Sequence, residues 1–377
     1  MEKRTENIQT ASKKKKSGRA LAHIEKIEWI SPIKGKDRIV LAGVLGWTVI
    51  IQKAEYNVGD KCIFCEIDSV FPEKPEFEFL RSKKYRIRTM KMSGVLSQGI
   101  CFPLSMLPEG NYEIGDDVTE LMGIIQYEGT MDVEAEEENG CDGKYPAFLL
   151  KWKWFRKLMG SNAGSSSGGF PKFVEKTDEV RIQNAPYFLQ QDCRFVATEK
   201  VDGQSGTFTL RREKGKHFWN RDKYDFAVCS RNQRKKKKDN SSFWTVAKRY
   251  DLEKVLHRLI GNHEWVAIQG ECVAPNVQGN KYHVKTADLY VFNLIYPTGR
   301  VGSLEAAKIV EKQGLKFVPI IEEAVDLKGK SVAEVLEYAT GQSQLYDTLR
   351  EGVVFRSQDG VRSFKAVSPE FLMKHNI

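Results

Sequence analysis

The residues that decide the fold are 194–210, which read RFVATEKVDGQSGTFTL. Apolar and β-branched residues come before Lys200, and a second such run begins at Gly206, so the stretch predicts two strands with a short connection. Lys200 and Asp202 are two residues apart and project from the same side of extended backbone. Gly203 lets the chain turn or approach a ligand closely. We interpret Lys200 as a candidate nucleophile, and a surface salt bridge beside a turn is the alternative.

A lysine nucleophile must be neutral when it attacks another atom. The reference pKa of a lysine side chain is about 10.4, far above neutral pH. Burial or neighbouring cations therefore have to lower the pKa of Lys200 if it is to react. The sequence predicts such an environment around it.

Composition favours a two-domain protein with an anionic partner. The 377 residues are 41% hydrophobic and carry a formal net charge of +9, which points first to nucleic acid. No apolar run approaches the roughly 18 residues of a membrane span, so we expect no membrane partner. The seven scattered cysteines are typical of reduced thiols in an intracellular protein, cytoplasmic or nuclear. Cys62 and Cys65 have zinc-ligand spacing without a second pair, and we expect no metal there.

Four regions follow one another along the chain. Residues 1–18 are predicted to be a disordered basic tail, and 19–125 show short strands separated by turn signals, as in an OB-type β-barrel. Residues 126–170 read as a linker with an acidic patch and a basic helix. Residues 171–377 mix strands with helices and form the second predicted domain.

Particular elements are expected within the two domains. Strands are predicted in the first domain at 22–30, 38–52, 61–68 and 94–103. Cations alternate with apolar residues over 83–91, which indicates either a face that follows phosphates or an ordinary half-buried strand.

The second domain shows helix signals and a run of cations. A helix is predicted over 245–260, another begins at Ser303, and a capping box starts a third at Ser331. The five consecutive cations at 234–238 predict an exposed loop that either contacts nucleic-acid backbone or is solvated.

Charged residues recur in three further apolar strands, at 265–271, 351–356 and 363–368. Buried strands rarely tolerate charges without partners, so these groups are expected to meet. Together with the first stretch they would form a site with two cations and three carboxylates: Lys200, Lys365, Asp202, Glu271 and Glu351. Carboxylates that hold Mg²⁺ and lysines that meet phosphates suit a metal–nucleotide complex.

In order, these segments resemble the motifs of the covalent nucleotidyltransferases, which include ATP-dependent ligases and capping enzymes. The matching segments are KVDG at 200–203, SRN at 230–232, QGE at 269–271, VFN at 291–293, EGVV at 351–354 and SFK at 363–365. Residues 176–184, with Arg181, are similar to the segment before the first motif in the RNA ligase 2 branch.

Domain order narrows the resemblance to the Naegleria-type RNA ligases, which carry an OB domain in front of the ligase domain. Residues 88–100, including MSGVLSQG at 92–99, are similar to that OB domain. The resemblance implies an α+β protein: an N-terminal OB-type β-barrel, then a covalent nucleotidyltransferase (ATP-grasp-like ligase) domain of antiparallel sheets with flanking helices.

The activity implied by the resemblance is ATP-dependent RNA ligation, in RNA repair. Lys200 would attack the α-phosphate of ATP and release pyrophosphate, leaving lysyl-AMP. The AMP would pass to an RNA 5′-phosphate, and an RNA 3′-OH would displace it. The N-terminal barrel would assist the first step, and a monomer is expected.

The resemblance also implies a role for each site residue. Lys200 and Lys365 would be catalytic, with Lys365 contacting the α-phosphate. Mg²⁺ or Mn²⁺ would be organised by Asp202, Glu271 and Glu351. The nucleotide would be bound by Glu199, Val201, Gly203, Arg181, Arg231, Glu271, Phe292 and Lys365. Among these, Phe292 would stack on adenine, and Arg181 and Arg231 would approach the adenylate or the RNA.

The sequence departs from the family in its last motif. Relatives often have two lysines spaced two apart there, but Ser363 and Val367 flank Lys365 on its face. Either Lys365 suffices, or Arg362 or another cation takes the second place. Two alternative functions remain: a ligase for DNA or hybrid strands, and a non-catalytic RNA-binding protein that keeps the fold.

Overall fold

A computed structural model describes residues 19–127, 169–176, 178–215, 221–237 and 241–377. The predicted basic tail at 1–18 lies outside these residues. The acidic patch and the basic helix of the predicted linker lie outside them as well. Within the described part of the chain, no helix is long and apolar enough to cross a membrane.

Contacts between Cα atoms divide the chain into two compact units. The described residues up to 127 form the first unit, apart from 45–47 and 89–91, which are assigned to the second. The second unit otherwise comprises the described residues from 169 onward.

Short strands make up most of 19–127. They are β1 (Ala22–Lys26), β2 (Trp29–Pro32), β3 (Ile39–Val44), β4 (Trp47–Gln52), β5 (Lys61–Cys65), β6 (Ser69–Val70), β7 (Met90–Met92), β8 (Val95–Ser97), β9 (Ile100–Phe102) and β10 (Ile125–Gln126). They form sheets in the orders β1-β5-β9, β2-β3-β4, β10-β6 and β7-β8. Two 3-10 helices, Pro75–Lys83 and Leu104–Met106, interrupt them. The predicted strand-rich domain is present, but its described strands form separate small sheets and not one closed barrel.

Turns divide two of the strands predicted for this region. The predicted strand at 38–52 is a pair, β3 and β4, because the chain turns at Leu45, which has a φ of 51°. The predicted strand at 94–103 is divided by Gly99, whose φ is 145° and whose added Cβ would lie 2.5 Å from the Phe64 ring. Such local backbone reversals do not disturb the apolar pattern, so periodicity alone did not reveal them.

The cation-rich stretch at 83–91 is not one strand with a phosphate-binding face. It is the end of a 3-10 helix followed by a turn with left-handed residues at Lys84 and Tyr85. Arg86 is buried: its Nη2 atom lies 2.8 Å from Asp68 Oδ1 and its guanidinium 3.4 Å from the centre of the Tyr127 ring. The charge of Arg86 is therefore paired with Asp68 inside the first unit.

The second unit has longer strands. They are β11 (Val180–Arg181), β12 (Arg194–Lys200), β13 (Gln204–Glu213), β14 (Lys223–Ser230), β15 (Trp265–Val273), β16 (Asp288–Tyr296), β17 (Gly299–Arg300), β18 (Lys316–Phe317), β19 (Ile320–Asp326), β20 (Gly352–Ser357) and β21 (Ser363–Val367). One sheet has the order β11-β21-β20-β12-β19, and the other has the order β14-β13-β15-β16-β17 with β18 beside β16. Nearly all of these pairs are antiparallel, and β11·β21 and β16·β18 are parallel. The chain crosses between the sheets at residues 201–203.

Helices flank these sheets, as predicted. They are α1 (Ser242–Arg249), α2 (Leu252–Leu259), α3 (Ser303–Lys312), α4 (Val332–Ala339) and α5 (Pro369–Lys374). The predicted helix at 245–260 is two helices, because Asp251 has a φ of 47°. The helix predicted from Ser303 is confirmed. The capping box is confirmed too: Ser331 Oγ accepts the Glu334 N–H, and Glu334 accepts the Ser331 N–H.

Two hydrophobic cores support the two sheets. One packs β12, β20 and β21 against α4 and includes Ala197 and Val353. The other packs β13, β15 and β16 against α1, α2 and α3 and includes Val201 and Ile268. Because Ala197 and Val201 belong to different cores, the chain passes from one core to the other at Lys200.

The predicted exposed loop at 234–238 is described as far as Lys237, and its first residue is anchored. Arg234 donates to both carboxylate oxygens of Asp225, at 2.6 and 2.9 Å. Lys236 and Lys237 are exposed. The cysteines of the described residues are free thiols, as expected from their scattered placement.

Candidate active site

Strand pairing places the candidate nucleophile beside a carboxylate. Lys200 is the last residue of β12 and pairs with Gly352, the first residue of β20, so Glu351 lies next to it. Lys200 Nζ lies 2.5 Å from Glu351 Oε2. Gly352 permits this packing, because a Cβ there would lie 2.2 Å from the Ala366 carbonyl oxygen.

The electrostatics around Lys200 differ from the prediction. Burial by itself lowers the pKa of Lys200, but the carboxylates of Glu351, Glu271 and Asp202 raise it by more, so the pKa lies above its ordinary value. Lys200 is therefore a charged ammonium group in the protein alone. The prediction of a lowered pKa was wrong for this state, because it did not include how closely the carboxylates surround the ammonium group.

Asp202 is fixed at both its backbone and its side chain. Its N–H donates to Tyr282 Oη at 2.7 Å, and its Oδ2 lies 2.5 Å from Lys281 Nζ. Burial and the neighbouring Glu351 raise the pKa of Asp202 to about 6, against the opposing effect of Lys281. A carboxylate that is costly to ionise alone is one that gains most from a bound cation.

Glu271 is the third carboxylate of the cluster. It lies on β15 in register with Ser205 of β13 and Tyr290 of β16, and its side chain packs against Gly203. Burial raises the pKa of Glu271 to about 8, and Lys200 opposes this shift. The surroundings therefore do not fully stabilise the ionised forms of Asp202 and Glu271.

The predicted metal residues suit a hard cation held through water. Within the described ranges, no three His, Cys, Asp or Glu side chains converge closely enough to ligate one ion directly. Asp202 contacts Lys281 instead, and Glu351 contacts Lys200. Three carboxylates are the oxygen donors that Mg²⁺ prefers, and Mg²⁺ commonly keeps several of its waters. The donor set fits Mg²⁺ or Mn²⁺ bound in this way.

Lys365 and Arg231 meet at a shared carboxylate. Lys365 Nζ lies 3.3 Å from Asp178 Oδ1, and Arg231 Nη2 lies 2.8 Å from Asp178 Oδ2. Arg181 pairs in register with Lys365 through the parallel contact of β11 with β21, and it is buried. Two cations that converge on one carboxylate can also converge on one phosphate.

The side chains of Glu199 and Val201 point away from the Lys200 face, as strand alternation requires. Val201 is buried in the core of the β13 sheet. The Glu199 carboxylate is buried and accepts hydrogen bonds from Ser343 Oγ at 2.5 Å and the Gln344 N–H at 2.8 Å. Burial raises the pKa of Glu199. The Glu199 side chain therefore anchors the loop before β20. Only the backbone atoms of Glu199 are left to contact a ligand.

Phe292 lies on β16 and is half-buried. The guanidinium of Arg356 lies 5.7 Å from the centre of its ring. Arg356 is itself buried and contacts Glu179 at 3.1 Å. The segment before the first motif thus reaches the same region as the predicted adenine-stacking residue.

Sequence reasoning missed several residues of this site. Asp178 and Glu179 lie inside the 176–184 segment, and acidic residues beside a predicted cation site were a usable signal. Lys281 and Tyr282 follow a 3-10 turn at Gln278–Asn280, where no periodic pattern predicts a direction for side chains. The positions of Lys281 and Tyr282 depend on tertiary packing, which the sequence pattern does not show.

Gly203 lies against the backbone of β15, so we expect Gly203→Ala to destabilise the protein. A Cβ there would lie 2.5 Å from the Cys272 carbonyl oxygen, and backbone cannot move aside as a flexible side chain can. The expected loss is about 1–3 kcal/mol in the free energy of unfolding, measured by chemical denaturation. Gly169→Ala, with no atom within 4 Å of the added Cβ, is the matched control. Equal stability of the two variants would contradict this packing.

Two family models match this chain. A family model described as RNA ligase matches residues 194–367, and one described as an OB-fold domain matches residues 21–104. A comparison with curated protein sequences found no match.

Solved structures of Naegleria gruberi RNA ligase are similar to the whole chain. The structure with pyrophosphate is 30% identical, with a TM-score of 0.77 and coverage of 95% of this chain and 99% of that one. A mutant with ATP and Mn is 30% identical, with a TM-score of 0.75 and coverage of 95% and 98%. A mutant with AMP and Mn is 30% identical, with a TM-score of 0.76 and coverage of 95% and 99%. With an N-terminal OB-fold domain followed by a ligase domain, this chain belongs to the Naegleria-type RNA ligase family.

Proposed function

We propose that this ATP-dependent RNA ligase joins 3′-OH and 5′-phosphate ends through lysyl-AMP and RNA-adenylate intermediates. The observation that carries the proposal is the cluster at Lys200, whose ammonium group lies 2.5 Å from Glu351 and within the field of Asp202 and Glu271. ATP is the nucleotide, and Mg²⁺ or Mn²⁺ is the metal, as in the relatives solved with ATP and Mn.

In the first step, Lys200 Nζ attacks the α-phosphorus of ATP. A P–N bond forms, the P–O bond to the β-phosphate breaks, and pyrophosphate leaves with that electron pair. Lys200 must first lose a proton to solvent, which requires that the charge of Glu351 beside it is offset. Asp202, Glu271 and Glu351 would hold the metal. When bound, the metal supplies positive charge that offsets these carboxylates and lowers the pKa of Lys200.

In the second step, a 5′-phosphate oxygen of RNA attacks the same phosphorus atom, and the P–N bond breaks as the leaving nitrogen takes up a proton from solvent. This restores Lys200 and gives an RNA-adenylate with a P–O–P linkage. In the third step, the RNA 3′-oxygen attacks the 5′-phosphorus, its proton is lost to solvent, and AMP leaves.

Lys365 on β21 and Arg231, directly after β14, would bind the phosphates during these steps. Lys365 and Arg231 both contact Asp178, and a phosphate can take over the contacts of this carboxylate. We assign Lys365 to the α-phosphate and Arg231 to the adenylate or the RNA end. Arg181, in register with Lys365, supports its position.

The adenine would be bound by an aromatic ring and by backbone groups. One side of Phe292 faces the Arg356 guanidinium, so the base would stack on the other side. Glu199, Val201 and Gly203 would contribute backbone atoms, because the Glu199 carboxylate is engaged by Ser343 and Gln344.

The proposal extends to the substrate ends and the setting in the cell. RNA with a 5′-phosphate and a 3′-OH is the substrate, in RNA repair, and the protein acts as a monomer. The free cysteines suit a reducing compartment, the cytoplasm or the nucleus. The proposed ligase domain is 171–377, after an OB domain at 19–125.

Sealing of a nicked RNA duplex tests the proposal directly. With ATP and Mg²⁺, we expect a 5′-³²P-labelled strand at the nick to become longer on denaturing electrophoresis. An otherwise identical nick with a 5′-OH end, labelled elsewhere, should remain open, because no phosphate is present to receive AMP. An all-DNA nick should be sealed at least about tenfold more slowly if 2′-OH groups are recognised.

Other outcomes would favour the alternatives. Preferential sealing of DNA or hybrid nicks would indicate a ligase for those strands. Tight RNA binding without sealing or covalent labelling would indicate a non-catalytic RNA-binding protein.

A further inference from the structure

Lys281 and Tyr282 hold Asp202 from a loop outside the six motifs. Lys281 Nζ lies 2.5 Å from Asp202 Oδ2, and Tyr282 Oη accepts the Asp202 N–H at 2.7 Å. The side chains of Lys281 and Asp202 are 13% and 11% exposed, so the ion pair is mostly shielded from solvent. Because the pair is shielded, removing either charge would leave the other one buried without its partner, which is costly.

The loop that presents these residues is held in an unfavourable backbone conformation. Gln278, Asn280 and His283 have φ values of 50°, 48° and 51°, although none is glycine. The Asn280 side chain fixes the loop by accepting the Val284 N–H and donating to the Val284 carbonyl. Such conformations cost about 1–3 kcal/mol each and cluster at functional sites.

The position of Lys281 suits the role of the second lysine that relatives often carry in the last motif and that β21 lacks here. Its Nζ lies 5.6 Å from the centre of the Phe371 ring, and Phe371 is on α5, which follows directly after β21. Val367 is buried at this end of β21. Arg362 lies before the opposite end of the strand, half exposed and 4.0 Å from Asp359. Lys281 therefore lies at the site through Asp202, whereas Arg362 lies at the other end of the strand.

Each of two carboxylates in the cluster has its own ammonium partner: Glu351 has Lys200, and Asp202 has Lys281. A divalent cation that binds these carboxylates competes with both ammonium groups. We propose that Lys281 is a nucleotide-binding residue that leaves Asp202 when the metal binds and then contacts the phosphate oxygens of ATP. This inference rests on the proposed function.

The first test measures binding of Mn²⁺ alone to the ATP-free protein by calorimetry. We expect Lys281→Met to bind Mn²⁺ at least about fivefold more tightly than wild type, because a competing cation is gone. Lys281→Arg keeps the charge and should bind Mn²⁺ less tightly than Lys281→Met. Lys285→Met, at an exposed position on the same segment, should match wild type. Thermal unfolding of each variant identifies any that fail to fold.

The second test measures equilibrium binding of ATP with Mn²⁺ in a Lys200→Met background, where no covalent step occurs. Adding Lys281→Met should weaken ATP binding at least about tenfold, the size expected for a charge-assisted phosphate contact. Adding Lys281→Arg should preserve most of the affinity, and adding Lys285→Met all of it.

Both results are required. If folded Lys281→Met left either the Mn²⁺ affinity or the ATP affinity unchanged, the proposal would be overturned. A purely structural role for Lys281 predicts weaker binding of both ligands and would also overturn it. Failure of wild type to take up label from ATP would instead overturn the proposed function, so the two failures are distinguishable.

Discussion

Lys200→Met is expected to abolish covalent labelling by α-³²P-ATP, by a factor on the order of 10⁴ or more. Methionine keeps the length and apolar stem of lysine but has no nucleophilic nitrogen. The attacking atom of the first step is therefore absent, while Glu351 and the β12·β20 pairing remain. The measurement is the amount of label retained on the protein after denaturing electrophoresis.

Step-specific controls make this result informative. Lys200→Arg preserves the positive charge beside Glu351 and should also remain unlabelled, because a guanidinium stays protonated. Both variants should still join a chemically pre-adenylated RNA without ATP, because that step does not use the nitrogen. Retention of label by folded Lys200→Met would show that a different residue is the nucleophile.

Glu179→Ala is expected to cause the largest loss of stability among these predictions, about 3–5 kcal/mol in the free energy of unfolding. Glu179 accepts hydrogen bonds from Arg356 at 3.1 Å, from Arg300 at 3.4 Å and from the Ser363 hydroxyl. The Arg356 side chain is only 4% exposed. The substitution leaves its charge buried with no carboxylate partner, which costs more than the pair itself contributed.

The pH dependence of this loss has a definite sign. Burial by itself raises the pKa of Glu179, but Arg356, Ser363 and Arg300 lower it by more, so it lies below its ordinary value. A lowered pKa stabilises the protein above the unfolded-state pKa, which is about 4.3. That contribution disappears as the pH falls through the folded-state pKa.

Chemical denaturation at several pH values measures both the size of the stability loss and its dependence on pH. The difference between wild type and Glu179→Ala should be full at pH 7 and should shrink below about pH 4. Glu311→Ala, an exposed change on α3, should stay within about 0.5 kcal/mol of wild type throughout. A difference independent of pH would indicate that packing, and not charge, explains the role of Glu179.

That the motif residues meet was predictable from the sequence, because charges in buried strands need partners. Lys200 and Glu351 are 151 residues apart and are in contact, as the motifs implied. The direction of the Lys200 pKa was not predictable, since it depends on distances to carboxylates on other strands. Lys281 was not predictable either, because a non-periodic loop delivers it to Asp202.

Sequence reasoning met the same limit in both units. Strand existence was predicted well, but turns such as the one at Leu45 depend on single backbone angles that the apolar pattern does not record. In the second unit, the helix break at Asp251 was missed for the same reason. Elements supported by an explicit cap, such as the helix after Ser331, were located correctly.

The passage of the chain from one hydrophobic core to the other at Lys200 affects how the protein tolerates mutation. Lys200 and Glu351 are carried by one core, and Glu271 and the Tyr282 contact by the other. A core substitution that leaves most molecules folded can still displace one set of these side chains from the other. Displacement of about 1 Å can reduce a rate about a hundredfold. Selection on activity therefore constrains the two cores jointly, and compensating changes are expected to arise in pairs across them.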